Sequence, residues 1–237
     1  MKITAIYGTG RKSKSSTFNI AQRFIGELSE GDPVTEFFLP ADMPAFCRGC
    51  FKCFTDFEGC PDSQYLKPIN EAMADADLLI FTAPVYVYHV PGQVKAFLDH
   101  YGCRWMAHRP AGEMFGKQAL LISTAAGAGT RSALKDLKDS MSFWGVARTH
   151  TFGRNVRAAD WGAVDKKLKR RFGEEIKKLS AKIRAESRNV KPSLKVRALF
   201  YAMRFMHKKF GYNPTDVEYW RSQGWLGKSR PWLQRRL

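Results

Sequence analysis

Residues 2–17 read Lys2-Ile3-Thr4-Ala5-Ile6-Tyr7-Gly8-Thr9-Gly10-Arg11-Lys12-Ser13-Lys14-Ser15-Ser16-Thr17. Residues up to Tyr7 form a short apolar run, which predicts a strand. The next ten residues are Gly, Ser, Thr and cations. From Phe18 to Leu28 the apolar residues Phe18, Ile20, Ala21, Phe24, Ile25 and Leu28 recur at helical spacing. A strand, a hydroxyl-rich loop and a helix opening on hydroxyls make the layout of an anion site. The first-turn N–H groups lack intrahelical partners, and the helix dipole favours negative charge there. Ser and Thr hydroxyls can donate to phosphate oxygens, and Arg11 can add a charge-assisted bond. The loop is not a Walker A, because no Gly-Lys-Ser/Thr ends it. Nor is it a GxGxxG turn, because only Gly8 and Gly10 fit. Hydroxyls in this number suit one terminal phosphate monoester better than a bridging diphosphate. A plain Ser-rich turn with a helix cap is the other reading of the loop alone.

Outward from this stretch, strand and helix alternate. Residues 34–39 predict a second strand, and 40–62 an irregular stretch. Residues 64–76 predict a helix. The run 77–84 predicts a strand buried on both faces, because its apolar residues do not alternate with polar ones. Residues 91–101 predict a helix with a proline in its first turn. A fourth buried strand is expected over 118–124, then a small-residue loop over 125–129 and a helix over 130–144. Residues 146–152 read as a more polar strand at an edge. Residues 164–185 read as an amphipathic helix, with Leu168, Phe172, Ile176, Leu179 and Ile183 nearly in one row. Five strands each followed by a helix imply an α/β domain with a mainly parallel sheet. Ligands of such sheets lie beyond the carboxyl ends of the strands. The loops 8–17, 84–91 and 124–129 are all expected at that end, where together they can build one site.

The most specific stretch is Ala83-Pro84-Val85-Tyr86-Val87-Tyr88-His89-Val90-Pro91-Gly92-Gln93-Val94-Lys95-Ala96-Phe97-Leu98-Asp99. Aromatic rings beside free backbone amides suit a flat ring system with polar edges. The stretch resembles the S-P-V-Y…P-G-x-x-K-x-F-x-D signature of flavodoxin-like NAD(P)H-dependent FMN reductases. The loop 8–17 resembles their phosphate loop, with Thr9 in the usual Ser place, and 124–129 resembles their small-residue flavin loop. The matches cover residues 1–185. The resemblance implies a flavodoxin-like three-layer sandwich with a five-stranded parallel sheet in the order 2-1-3-4-5. It also implies non-covalent FMN, with NAD(P)H as co-substrate. Thr9, Arg11, Ser15, Ser16 and Thr17 would hold the phosphate. Pro84, Val85, Tyr86, Val87 and Tyr88 would line the isoalloxazine, although loop packing is the plainer reading of the two tyrosines. Thr124, Ala125 and Gly127 would approach the ring from its other side. The redox chemistry is then the flavin's, and no side chain is assigned as general acid or base. A homodimer or a dimer of dimers is implied in the same way.

Four of the five cysteines crowd together as Cys47-x2-Cys50-x2-Cys53-x6-Cys60-Pro61. Four thiolates at this compact spacing, the last followed by proline, suit a [4Fe–4S] cluster. The pattern resembles the motif of the iron–sulfur flavoproteins, a branch of the same fold in which a cluster hands electrons to FMN. Zinc, or free thiols with no metal, are the other readings. Cys103 has no partner by spacing and reads as a buried apolar residue. No histidine stands at ligand spacing from a cysteine or carboxylate. All five are read as structural or exposed, save that His89, in the flavin loop, is placed to touch a substrate.

The chain has 237 residues, 44% of them apolar, and a net charge of +17. That charge is uneven. Residues 1–156 carry 17 Lys/Arg against 15 Asp/Glu, and residues 157–237 carry 22 against 7. No apolar run is long enough to cross a membrane and no signal segment opens the chain, so a cytoplasmic address is expected. Residues 1–187 are expected to form the FMN-binding domain, and 188–237 a basic, aromatic-rich helical extension. A helix is predicted over 192–210, with Trp220, Trp225 and Trp232 beyond it. The extension reads as a dimerisation or lid element, as an attachment to an anionic membrane or nucleic acid, or as a solvated lysine-rich face. The last is the default; no specific nucleic acid and no membrane contact are expected. The functional expectation is an FMN-dependent NAD(P)H oxidoreductase that reduces a small acceptor (a quinone, a nitro or azo compound) or a redox protein. An iron–sulfur electron carrier and a non-enzymatic flavin-fold binding protein are the alternatives.

Overall fold

In the computed structural model, which describes residues 1–233, five strands pair in parallel. They are β1 (Ile3–Tyr7), β2 (Val34–Phe38), β3 (Leu78–Pro84), β4 (Gln118–Ala125) and β5 (Arg148–Asn155). Their order is β2-β1-β3-β4-β5, the one the resemblance implied. Burial follows that order. All eight residues of the interior strand β4 are buried, whereas the edge strands β2 and β5 are part-exposed. β5 runs three residues past its expected end. Its apolar pattern stops at Phe152, but backbone pairing with β4 continues to Ala125 and Asn155, and hydropathy does not register backbone pairing.

Strand alternation sorts the interior into two layers. Ile3, Ala5 and Tyr7 of β1, Leu78 and Ile80 of β3, and Leu120 and Ile122 of β4 face one side. There they meet α1 (Ser16–Leu28) through Ile20, Ala21 and Phe24, and α5 (Lys166–Ser187) through Phe172, Ile176 and Ile183. Ile6, Leu79, Phe81, Ala119 and Leu121 face the other side. They pack on α2 (Ser63–Asp75), α3 (Gly92–Asp99) and α4 (Thr130–Phe143). Caps set the helix starts. The Phe18 N–H donates to Ser15 Oγ at 3.4 Å, and the Leu168 N–H to Asp165 Oδ1 at 2.9 Å. Pro91 precedes α3 as its cap instead of opening its first turn.

The chain after α5 folds back onto its own body. Helices α6 (Leu194–Lys209) and α7 (Pro214–Ser222) build a third apolar cluster. In it, Val196, Phe200, Trp220 and Trp225 bury against Met106 and Phe115 of the α3–β4 connection. Polar anchors hold this seam. Trp220 Nε1 donates to the His108 carbonyl at 2.6 Å, and the Tyr219 hydroxyl to that of Pro110 at 2.7 Å. Two of the tail's tryptophans thus bury their faces inside their own chain. Residues 234–237, the end of the expected extension, lie outside the described residues.

His150, buried under the β5 end, donates through Nε2 to Gln118 Oε1 at 2.9 Å, and the Gln118 amide donates to the Ile183 carbonyl at 3.0 Å. Burial, and secondarily Lys182 and Arg148, push the His150 pKa below its ordinary 6.5, while Glu186 pulls it up. The unfolded chain therefore binds the proton more readily, and stability falls as pH drops from about 6.5 through the lowered folded value. Thermal unfolding followed between neutral pH and pH 5 is expected to show a falling Tm, and His150→Gln should flatten that fall.

Candidate functional site

At the carboxyl ends of the strands, four loops enclose a cavity of about 170 Å³. The β1–α1 loop contributes Thr9, Arg11, Ser15 and Ser16, the β3–α3 loop Pro84, Val85 and Tyr86, and the end of β4 Thr124, Ala125 and Ala126. Gly8 sets how close the first loop comes to its neighbour. Its N–H donates to the Thr82 carbonyl at 2.8 Å, and a Cβ built there would stand 2.5 Å from that oxygen and from Val94 Cγ2. Only glycine fits. Gln93 of α3 then donates to the Gly8 carbonyl at 2.8 Å. Thr9, Ser15, Ser16 and Thr17 are buried, and Ser15 Oγ lies 2.9 Å from Thr17 Oγ1. The N-terminus of α1 has no acidic residue in its first turn. Hydroxyls, a guanidinium and the positive end of a helix form a donor set that fits a phosphate monoester.

Val85 donates its N–H to the Thr124 carbonyl at 2.9 Å, which holds the second and third loops side by side. Beyond it, Tyr86 and His89 exchange backbone bonds of 3.0 Å across a two-residue turn whose central residues, Val87 and Tyr88, have φ of 47° and 67°. A β-branched residue rarely takes this conformation, and strain of this kind clusters at functional sites. Gly129, at φ 101°, lets the turn close, since a Cβ there would stand 2.7 Å from Val85 Cγ1.

Nine of the thirteen residues expected at the flavin site line this cavity: Thr9, Arg11, Ser15, Ser16, Pro84, Val85, Tyr86, Thr124 and Ala125. The other four stand apart from its wall. Thr17 lies fully buried beneath Ser15; Val87 and Tyr88 project from the turn tip, 94% and 62% exposed; Gly127 is exposed on the next loop. Arg11 lines the wall, but its guanidinium donates to the Ala159 carbonyl at 3.1 Å and pairs with Asp160. A fourth loop, after β5, adds Val156, Ala158 and Ala159. Sequence reasoning missed it, although a small-residue run directly after a strand was the available signal. His89 is largely exposed and pairs through Nδ1 with Asp136 at 3.0 Å.

The cysteines meet elsewhere. Cys47, Cys50, Cys53 and Cys60 all line a second cavity of about 230 Å³, walled by Phe51, Phe54 and Pro61. Their thiols are free, and burial pushes those of Cys53 and Cys60 up in pKa. Cys103 is buried as expected, but its thiol hydrogen-bonds that of Cys53, and burial raises it to about 12. A histidine stands beside this loop, although its spacing in the chain gave no sign of it. His100, held through Nδ1 by the Ala96 carbonyl at 2.8 Å, places Nε2 3.1 Å from Asp62 Oδ2. The ligand atoms of Cys60, Asp62 and His100 all lie within 4.8 Å of one another. Thirty-eight residues separate His100 from Asp62, so spacing carries no sign of this trio.

A buried charge ties the tail to the cysteine loop. Asp216 of α7, 1% exposed, lies 2.8 Å from His108 Nδ1 and 3.4 Å from Arg109 Nε. Arg109 in turn donates to the carbonyls of Thr55 and Cys53, and His108 packs edge-on against Phe54.

Fold and cavity together define a flavodoxin-like α/β protein with a hydroxyl-lined cavity at its strand ends. More narrowly, the chain belongs to the NADPH-dependent FMN reductase family, whose model matches residues 1–160. It is an FMN-dependent NAD(P)H oxidoreductase of that family. Among curated proteins it is similar to an iron–sulfur flavoprotein of Archaeoglobus fulgidus, 24% identical over 233 residues, which span 95% of this chain and 100% of that one. An FMN-dependent NADH:quinone oxidoreductase of Pelagibacter ubique is 26% identical over 181 residues, 68% of this chain and 92% of that one. Among solved structures, the FMN-dependent NADH-azoreductase of Bacillus anthracis superposes with a TM-score of 0.58 at 13% identity, over 77% of this chain and 99% of that one. That last likeness concerns the fold.

Replacing Asp216 by Asn removes the counter-charge of the partly buried Arg109, and the cost is expected to stay below the roughly 3–5 kcal/mol typical of breaking a fully buried pair. The variant is expected to melt lower and to expose its cysteine-loop thiols to a thiol reagent faster than the parent. Glu218→Gln, on the exposed side of the same helix, should change neither measurement.

Proposed function

We propose that the carboxyl-edge cavity is the FMN site and that the protein passes electrons from NAD(P)H to a small acceptor of the quinone or azo class. The observation that carries this reading is the convergence of four loops on one hydroxyl-lined cavity at the start of α1. Thr9, Ser15 and Ser16 offer hydroxyls to the phosphate, and the first-turn amides of α1 add their dipole. Arg11, steadied by Asp160, supplies positive charge at the rim. Pro84, Val85 and Tyr86 form one flank of the ring site, and Thr124 and Ala125 the other. Bound there, FMN supplies two-electron exchange between a nicotinamide and an acceptor. The exposed turn at Val87 and Tyr88 leaves the acceptor side open, or covered by a second copy in a homodimer. A redox protein is the alternative acceptor. Four free thiols in one loop fit a cytoplasmic address, and residues 188–237 are read as an extension to an FMN domain over 1–187.

Ser16→Asp tests the phosphate site. An acidic residue in the first turn favours the helix and repels a phosphate, so fold and binding separate. Titration with FMN, followed by quenching of flavin fluorescence, is expected to show at least about tenfold weaker binding, a loss of about 1.4 kcal/mol. Equal affinity in the two proteins would remove the site from this edge.

A second reading is favoured by one observation: four cysteines line a single apolar-walled cavity. We propose that they hold a [4Fe–4S] cluster that exchanges electrons with the flavin. The thiolates would supply the ligands, and Arg109 would hold the loop through the Cys53 carbonyl. Anaerobic reconstitution with iron and sulfide should load about four irons per chain in the parent and lose them in Cys50→Ser. One zinc in the same preparation would instead make the site mononuclear.

A further inference from the structure

Helix α6 carries two apolar rows. Val196, Phe200, Met203 and His207 form a row at spacings of four, three and four, and this row faces the protein. Leu194, Ala198, Tyr201 and Phe205 repeat the same spacings two residues earlier, about 200° away around the helix. This second row is exposed, Leu194 at 82% and Phe205 at 57%, and Phe210 and the 79%-exposed Tyr212 extend the apolar surface. Contiguous apolar surface of this kind marks an interaction site, unlike apolar side chains scattered singly.

The charge around the stripe selects its partner. Within Leu194–Lys209 there are five Lys/Arg and no Asp/Glu. Lys195, Arg197, Lys208 and Lys209 are exposed around the stripe. Lys209 lies over the rings of Phe205 and Phe210 at 5.6 and 5.3 Å, and Arg230 over Tyr201 at 5.3 Å. A second copy docked face to face would set this cationic helix against itself, so the charge argues against self-association here. No helix among the described residues is long and apolar enough to cross a membrane. Aromatic and aliphatic side chains ringed by lysine and arginine on one convex helix are the chemistry of an interfacial helix on anionic lipid.

We propose that α6 is a peripheral docking surface for an anionic lipid bilayer, with Leu194, Tyr201 and Phe205 entering the headgroup–acyl boundary and the surrounding cations meeting lipid phosphates. This replaces the expectation of a solvated basic face. The tryptophans pack the tail down without the outer row of α6.

The test is co-sedimentation of the full chain with vesicles, comparing phosphatidylcholine alone with phosphatidylcholine containing about 30% phosphatidylglycerol, at physiological ionic strength. The protein should pellet with the anionic vesicles and stay in solution with the neutral ones. Tyr201→Ser/Phe205→Ser and, separately, Lys208→Glu/Lys209→Glu should each weaken partition at least about tenfold, with FMN binding and circular dichroism unchanged. Both pairs are exposed and lie outside the third apolar cluster, so they test the surface and not the fold. Absence of binding to anionic vesicles overturns the proposal. So does a Tyr201/Phe205 variant that binds like the parent, because bulk charge would then be responsible. A dimer in light scattering that falls to monomer in that variant, with no lipid binding, would make this face a contact between copies.

Discussion

The close approach of the β1–α1 turn to the end of β3 is the constraint on which the carboxyl edge depends. Because position 8 has no side chain, its amide reaches the Thr82 carbonyl, and the next residues lie over the sheet edge instead of standing away from it. Thr9 and Ser15 are buried as a result, and α1 starts with its amides at the cavity wall. Gly129 does the matching work on the opposite loop by leaving room for Val85 and the strained turn at Val87 and Tyr88. The walls of one cavity thus meet at one edge because two glycines let three backbones crowd there.

A second constraint acts at longer range. The tail is not an independent appendage in packing, since Trp220 and Trp225 complete a core that Phe115 and Met106 begin. Burying them carries Asp216 inward as well. A carboxylate removed from water needs partners, and it finds His108 and Arg109. Arg109 then spends its remaining donors on the cysteine loop, which has little regular structure of its own. Packing at one end of the molecule thereby orders the segment that carries the thiols at the other end of the contact chain. The same helices that bury aromatics inward leave an apolar, cationic row outward, so one element serves the interior and a surface.

Much of the layout was legible in the sequence where periodicity spoke. The runs 78–84 and 118–125 are buried on both faces, as unbroken apolar stretches imply, and the row Phe172, Ile176, Ile183 is the buried face of α5. Motif reading named most of the residues that line the carboxyl-edge cavity, because loops at successive strand ends must share an edge. It failed where position depends on contacts distant in the chain. Arg11 is drawn to Asp160, 149 residues away, and the β5–α5 loop enters the cavity with only a short run of small residues to announce it. His100 looked solitary, yet it stands beside Asp62 and Cys60.

The sequence by itself determined the class of fold, the edge at which three loops form a cavity, and the gathering of four thiols in one loop. These are local matters: hydrophobic period, turn residues and spacing act within a few residues of one another. Only the tertiary structure decided which hydroxyls line the cavity, that a fourth loop joins them, that His100 stands beside Asp62 and Cys60, and which face of α6 remains in water. Each of those depends on which groups lose their water together, and that is set by how distant segments pack.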